Sequence, residues 1–151
     1  MTNAQLQALI FGDAVRIVEA ISTGAAWEIW MQVELVLILR AANVQAAREV
    51  PYPPPNQQLT LDVIAQDAVG RYAIELKVES ATNAGGAIIG SINADRAKLL
   101  YYPQPNPGAR WVVGIGYSAA AVQAMNVFAN NPANNAIFAY GNNIGVLIAT
   151  V

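Results

Sequence analysis

Residues 59 to 79, LTLDVIAQDAVGRYAIELKVE, constrain the fold more than any other stretch. Leu59, Leu61, Val63 and Ala65 alternate with Thr60, Asp62, Ile64 and Gln66. Tyr72, Ile74, Leu76 and Val78 then alternate with Ala73, Glu75, Lys77 and Glu79. A period of two belongs to strands with distinct faces. The segment therefore predicts a hairpin whose loop is centred between Ala68 and Val69. Folding the runs about that centre opposes Val63 to Ile74, Leu61 to Leu76, Asp62 to Glu75 and Thr60 to Lys77. The large apolar pairs then share one face and the charged residues the other. A slip of one residue would drive the charged set into the core.

Directly opposed side chains sit roughly 5 Å apart at Cβ, so Asp62, Glu75 and Lys77 are expected in one small space. Two facing carboxylates repel, and neither ionises cheaply without a cation between them. A divalent metal meets that need, and ligands made only of oxygen favour magnesium or manganese. Lys77 would then lie near an attacking water or a phosphate oxygen. The same residues also suit a solvated hairpin with a cross-strand Glu–Lys attraction, because Glu-x-Lys is common on exposed strands.

Asp62, followed on the neighbouring strand by Glu75-Leu76-Lys77, resembles the metal site of the PD-(D/E)XK nuclease superfamily. That superfamily includes restriction endonucleases, archaeal Holliday junction resolvases and many toxin nucleases. The order of predicted elements also matches over residues 25 to 118: a helix carrying Glu, a three-strand meander, a helix and a further strand. Leu61 stands where the family often has Pro before its first Asp.

The resemblance implies an α/β fold with a restriction endonuclease-like core. A mixed central β-sheet would be flanked by helices in the order αβββαβ, here with an N-terminal helix and a C-terminal hairpin, in one domain spanning residues 1–151. It implies a metal-dependent nuclease that hydrolyses phosphodiester bonds of DNA, or of RNA, leaving 5′-phosphate and 3′-hydroxyl ends. Asp62, Glu75 and the Leu76 carbonyl would hold Mg2+ or Mn2+, and Lys77 would orient the attacking water. A helical Glu, either Glu34 or Glu28, would reach the metal or its waters. Gln32 occupies the place of a second Glu in the resolvase-like pattern. Lys98 and Arg96 are the candidates for touching the substrate phosphate.

Composition narrows the chemistry. The 151 residues include no Cys and no His, which excludes disulfides, Cys/His zinc sites, Cys nucleophiles and Ser–His–Asp triads. Acid–base work falls to carboxylates, Lys or Tyr. Eight Lys and Arg against ten Asp and Glu give a net charge of −2, and nucleic-acid binders usually carry a basic footprint. A bound metal with Lys77, Lys98 and Arg96, or a basic partner domain, would have to compensate. Hydrophobic residues make up 55% and charged residues 12%, about half the usual charged share. Such a chain fills a large core and leaves apolar surface. That surface suits a second reading, a non-catalytic binding or assembly module of the same fold, and a homodimer or a larger protein partner. No run is apolar and long enough to span a membrane, and no charged leader precedes an apolar block, so a cytoplasmic protein is expected.

The remaining chain reads in order. Residues 3 to 22 are helical, interrupted at Gly12-Asp13. Ser22-Thr23-Gly24 breaks before a mostly apolar helix over residues 25 to 42. Residues 44 to 50 form the first strand, with Glu49 beside the site or paired with Arg48 or Arg71. The proline-rich residues 51 to 58 form a stiff connection. Residues 80 to 86 form a loop that lacks the Lys-Ser/Thr ending of a phosphate loop. A helix over residues 87 to 100 contains Asp95 and Lys98, an i,i+3 pair. Residues 110 to 117 read as a buried strand whose Gly114 and Gly116 admit a closely packed helix, the N-terminal one included. An Ala-rich helix over residues 118 to 130 precedes a hairpin about Gly141-Asn142-Asn143.

Overall fold

The structure, a computed structural model, describes residues 1–24 and 27–151. Six strands form one open, mixed sheet: β1 (Gln45–Pro51), β2 (Thr60–Gln66), β3 (Arg71–Val78), β4 (Gly108–Gly116), β5 (Ala136–Gly141) and β6 (Ile144–Thr150). Their order is β1-β2-β3-β4-β6-β5, and only β3 and β4 run parallel. Among the described residues five α-helices flank the sheet: α1 (Asn3–Gly12), α2 (Ala14–Ser22), α3 (Trp27–Ala41), α4 (Ile88–Leu99) and α5 (Ala119–Asn130). The protein is thus α/β, and the elements follow the order expected from sequence. Residues 25 and 26, at the start of the expected third helix, lie outside the described residues. No helix among the described residues is long and apolar enough to cross a membrane.

Two of the α-helices begin at a side-chain cap. Thr2 caps α1 through a reciprocal box, its hydroxyl accepting from Gln5 N while the Gln5 side chain accepts from Thr2 N. Asp13 separates α1 from α2, as the Gly12-Asp13 pair predicted. Ser118 caps α5 by accepting from Ala121 N.

The sheet separates two cores. On one face Val63, Ile74, Leu76, Trp111, Val113 and Ile148 meet residues of α1, α2 and α3, such as Leu6, Ile17 and Leu35. Tyr72 stacks on Trp111 with ring centroids 4.7 Å apart. On the other face Ala73, Val112 and Leu147 meet Ile88, Ile92 and Leu99 of α4 and Met125 and Phe128 of α5. Helix α4 is the crossover that parallel strands require.

The hairpin register is the expected one from Val63↔Ile74 through Gln66↔Arg71. Asp67 Oδ1 closes the turn by accepting from Val69 N and Gly70 N. Beyond Val63 the expectation fails. Leu61 does not oppose Leu76 on a shared face: Leu61 lies in the core with Tyr52 and Leu99, and Leu76 in the opposite core. The cause sits in β1. Glu49 has φ +54°, an uncommon conformation for a residue with a side chain, and it drops out of the β1–β2 ladder opposite Asp62, while the register stays the same from Arg48↔Val63 to Val50↔Leu61. The ribbon turns at that point, and β2 parts from β3.

Gly114 and Gly116 admit close packing as expected, but against α4 and α5 rather than the N-terminal helix. A Cβ on Gly116 would stand 2.7 Å from Met125 Cε and 2.9 Å from Ala121 Cβ. Met125 can swing away, whereas Ala121 moves only with its helix. Gly116→Val is expected to cost about 1–3 kcal/mol through overpacking, measured as a lower urea midpoint. An unchanged midpoint would show that α5 is not seated on β4 as described.

Candidate functional site

The parting of β2 and β3 leaves Asp62 and Leu76 facing each other without a ladder. Asp62 fills the gap: its Oδ2 accepts from Leu76 N at 2.7 Å, and its Oδ1 accepts from Gln32 Nε2 at 3.0 Å. A strand residue turns its own N–H and C=O to the same edge, so the Leu76 carbonyl points into this gap as well. Asp62 lies near enough for its charge to act on Glu75, but not through the expected pairing, because the β2–β3 register ends at Val63↔Ile74. The expected Thr60–Lys77 opposition does not form, because the strands have already separated.

Glu75 projects from β3 under α4 and is only 1% exposed. Tyr52, just past β1, donates its hydroxyl to Glu75 Oε1 at 2.8 Å. Lys98 of α4 donates to Glu75 Oε2 at 2.8 Å and to the Thr60 carbonyl at 2.8 Å. Lys77 lies between two acids, 3.1 Å from Glu28 Oε1 and 3.6 Å from Asp95 Oδ2. Glu28 also accepts from Val78 N at 3.4 Å.

The expected site residues thus divide. Asp62, Glu75, Lys77, Leu76, Glu28 and Lys98 gather at one point. Glu34 does not join them: it faces α2, where Arg16 Nη2 reaches its Oε2 at 2.9 Å. Glu28 and Gln32 lie one turn apart on the face of α3 that meets β3, and Glu34 lies on another face. Arg96 is also directed elsewhere, with its guanidinium over the Phe128 ring and hydrogen-bonded to Asn134. Residues 95 and 98 share a face of α4 and residue 96 lies on another, so only the first two reach the sheet gap. Asp95 pairs with Lys77 rather than with Lys98. Glu49 is exposed and pairs with Arg48.

Two members were not singled out from sequence. Tyr52 sits inside the proline-rich segment, whose only legible property was stiffness. Asp95 read as a surface ion-pair partner, yet its Oδ2 is buried and has no hydrogen-bond partner. A single Tyr amid prolines was the one available signal for the former.

Burial pushes the Glu75 carboxyl up, the charge of Asp62 pushes it further, and Lys98 and Tyr52 oppose this; the result is a rise from 4.5 to about 7. Burial raises Asp95 as well, against the pull of Lys77. Burial pulls the Lys77 ammonium down, but Asp95, Glu28 and Asp62 outweigh it, and its pKa lies above the ordinary lysine value. Burial and the Glu75 charge drive the Tyr52 phenol far up, so it stays a proton donor.

The donor set available to a cation is oxygen only: Asp62, Glu75 and the Leu76 carbonyl, with Glu28 and Asp95 nearby. Among the described residues no three acidic side chains are grouped closely enough to hold a metal unaided. Four carboxyls stand against two ammoniums, so the cluster holds more acidic groups than cations. An open cleft of about 480 Å3, lined by Trp27, Glu28, Val78, Ser80 and Tyr117 among others, reaches the Glu28 end.

The raised Glu75 pKa fixes the sign of a stability effect. The folded chain holds this proton more tightly than the unfolded chain, so ionising Glu75 opposes folding. That cost is absent below about pH 4.5 and grows until about pH 7. The stability of Glu75→Gln relative to wild type is therefore expected to improve across this window, by at most about 3 kcal/mol. Urea unfolding at several pH values measures it, and a pH-independent difference would contradict the assignment.

No protein-family model matches the chain, and no curated protein or solved structure matches it either.

Proposed function

We propose that the chain is a metal-dependent nuclease with a restriction endonuclease-like core, acting on phosphodiester bonds of DNA or RNA. The observation that carries the reading is the convergence of Asp62, Glu75 and Lys77 where β2 and β3 part. Asp62, Glu75 and the Leu76 carbonyl would hold magnesium or manganese, with Glu28 as the helical acid. Hard oxygen donors suit these ions, and the excess of carboxyls calls for a cation. The ion, when bound, lowers the pKa of water and offsets charge on the phosphate.

The side chains take the remaining roles. Lys77 stays protonated between Glu28 and Asp95 and would meet the charge that builds on the phosphate oxygens. Gln32 fixes the orientation of Asp62, and Tyr52 that of Glu75. Lys98 holds a positive charge on Glu75 and sits close enough to approach a phosphate. The chain's low positive charge makes the metal and these two lysines the main attraction for a polyanion.

A non-catalytic module of the same fold is the competing reading. It is favoured by the fact that all four oxygens of Asp62 and Glu75 already accept from protein donors. Each carboxylate oxygen has a second lone pair, so metal binding distinguishes the two. Isothermal calorimetry with Mn2+ or Mg2+ is expected to show one site in wild type that Asp62→Asn abolishes. Purified protein with either ion is expected to cut single-stranded, double-stranded or branched substrates. Lys77→Ala and Glu75→Gln should each lower the rate on the order of 100-fold or more, with circular dichroism unchanged. Equal rates in wild type and both variants would assign the cutting to a contaminant. A wild type that binds no metal and cuts nothing would leave the module reading.

A further inference from the structure

Residues 111 to 151 contain no Asp, Glu, Lys, Arg or His. All eighteen charged side chains of the chain lie in residues 1 to 110. The uncharged segment builds β4 from Trp111 onward, and all of α5, β5 and β6. Strands β4 and β6 are interior to the sheet, whereas α5 and the outer strand β5 reach the surface.

The two edges of the sheet differ sharply. Edge strands attract foreign strands, and proteins blunt them with charges, prolines and kinks. β1 carries all three: Arg48 and Glu49, Pro51, and the positive φ of Glu49. β5, AIFAYG, carries none of them and pairs with β6 without interruption from Ala136↔Ala149 to Gly141↔Ile144. Thr150 N donates to Asn135 O, which fixes the alternation of the ladder. Residues 137, 139 and 141 bond to β6, and Ala136, Phe138 and Tyr140 turn their N–H and C=O groups outward. Beside this edge lies an uncharged hollow lined by Tyr117, Val122, Asn126, Phe138 and Tyr140. Tyr140 is 58% exposed.

We infer that β5 pairs antiparallel with β5 of a second copy of this chain. A two-fold axis at Phe138 would oppose the outward groups of Ala136 to those of Tyr140 of the partner subunit. Every outward group then finds the complementary group on the same strand, the condition for an isologous interface. Charge selects this occupant. The chain's negative balance lies wholly outside residues 111 to 151, so two copies meet here without repulsion, and interface centres are depleted of charge. A nucleic acid or a strongly charged protein finds nothing on this surface to attract it. No residue of the proposed nuclease site takes part in the pairing, so the two stand or fall separately.

Sedimentation equilibrium at micromolar concentration is expected to give twice the 16.0 kDa chain mass. Tyr140→Lys, which buries a charge against the partner strand, should return a single-chain mass. Val15→Lys adds the same charge at a 71% exposed position on α2 and should leave the dimer intact. Amide hydrogen exchange of the wild type provides a test that needs no variant. Ala136, Phe138 and Tyr140 should be protected at least about tenfold more at high than at low protein concentration, while Ile137 and Ala139, bonded to β6, stay unchanged. A wild type of single-chain mass at all these concentrations would overturn the inference. So would a dimer in which the three outward amides exchange freely.

Discussion

The amide of Leu76 donates to a side chain, Asp62, at the place where the β2–β3 ladder would have continued. That substitution lets two neighbouring strands part in the middle of a sheet without leaving a buried N–H unpaired, a loss of about 1–3 kcal/mol. It also sets the course of β2 on the far side of the gap. Once Asp62 has turned into the gap, Leu61 is carried to the α4 side and joins the core with Tyr52 and Leu99. Glu49, bent to positive φ on the adjacent strand, is the matching deformation. The gap, the bend and the divided core are one structural event seen from three strands.

Two buried glutamates on β3 and just beyond it show how surroundings separate a carboxylate whose charge is met from one whose charge is not. Glu79 is nearly inaccessible, yet it accepts from Gly85 N, Tyr117 N, Ser118 N and the Ser118 hydroxyl. Burial raises its pKa, but these donors outweigh burial and hold it below the ordinary value. A carboxylate saturated by rigid donors is a joint: it ties the end of β3 to the start of α5. Glu75 is equally buried and has two side-chain donors and an acidic neighbour. Its charge is poorly met, its pKa rises, and a cation would relieve it. Perturbation by burial together with a specific charged neighbour is the pattern seen at functional sites.

The sequence was most legible where one rule governed a whole element. Alternation set the hairpin and its register, Gly12-Asp13 divided the first helices, and Ser118 marked the start of α5. Legibility ended where the answer depended on rotation about an axis or on a partner from a distant element. Glu28 and Glu34 both lie on α3, and the choice between them is made by Arg16 on α2, which takes Glu34. Arg96 and Lys98 lie two residues apart, so on a helix they cannot share a face; Phe128 and Asn134 claim the first and Glu75 the second. The Leu61–Leu76 pairing followed correctly from alternation and failed because Glu49 bends a strand in a way that its residue type does not signal.

The division of charge along the chain explains why the countercharge of Glu75 comes from a helix. Glu75 and Lys77 lie beside Val112 and Gly114 of β4, a strand whose only charged side chain, Arg110, turns to the carbonyls of Leu99 and Tyr102. No countercharge can come from β4 or from β6 behind it. Desolvation of Glu75 is therefore set by an apolar wall on one side, and relief comes from α4 and from the segment leading into β2. Lys98 meets that need from the last turn of α4, where a positive charge also suits the helix dipole. The neutral C-terminal segment thus raises the cost of the Glu75 charge at its border, and the Lys98 ammonium offsets that cost from the other side.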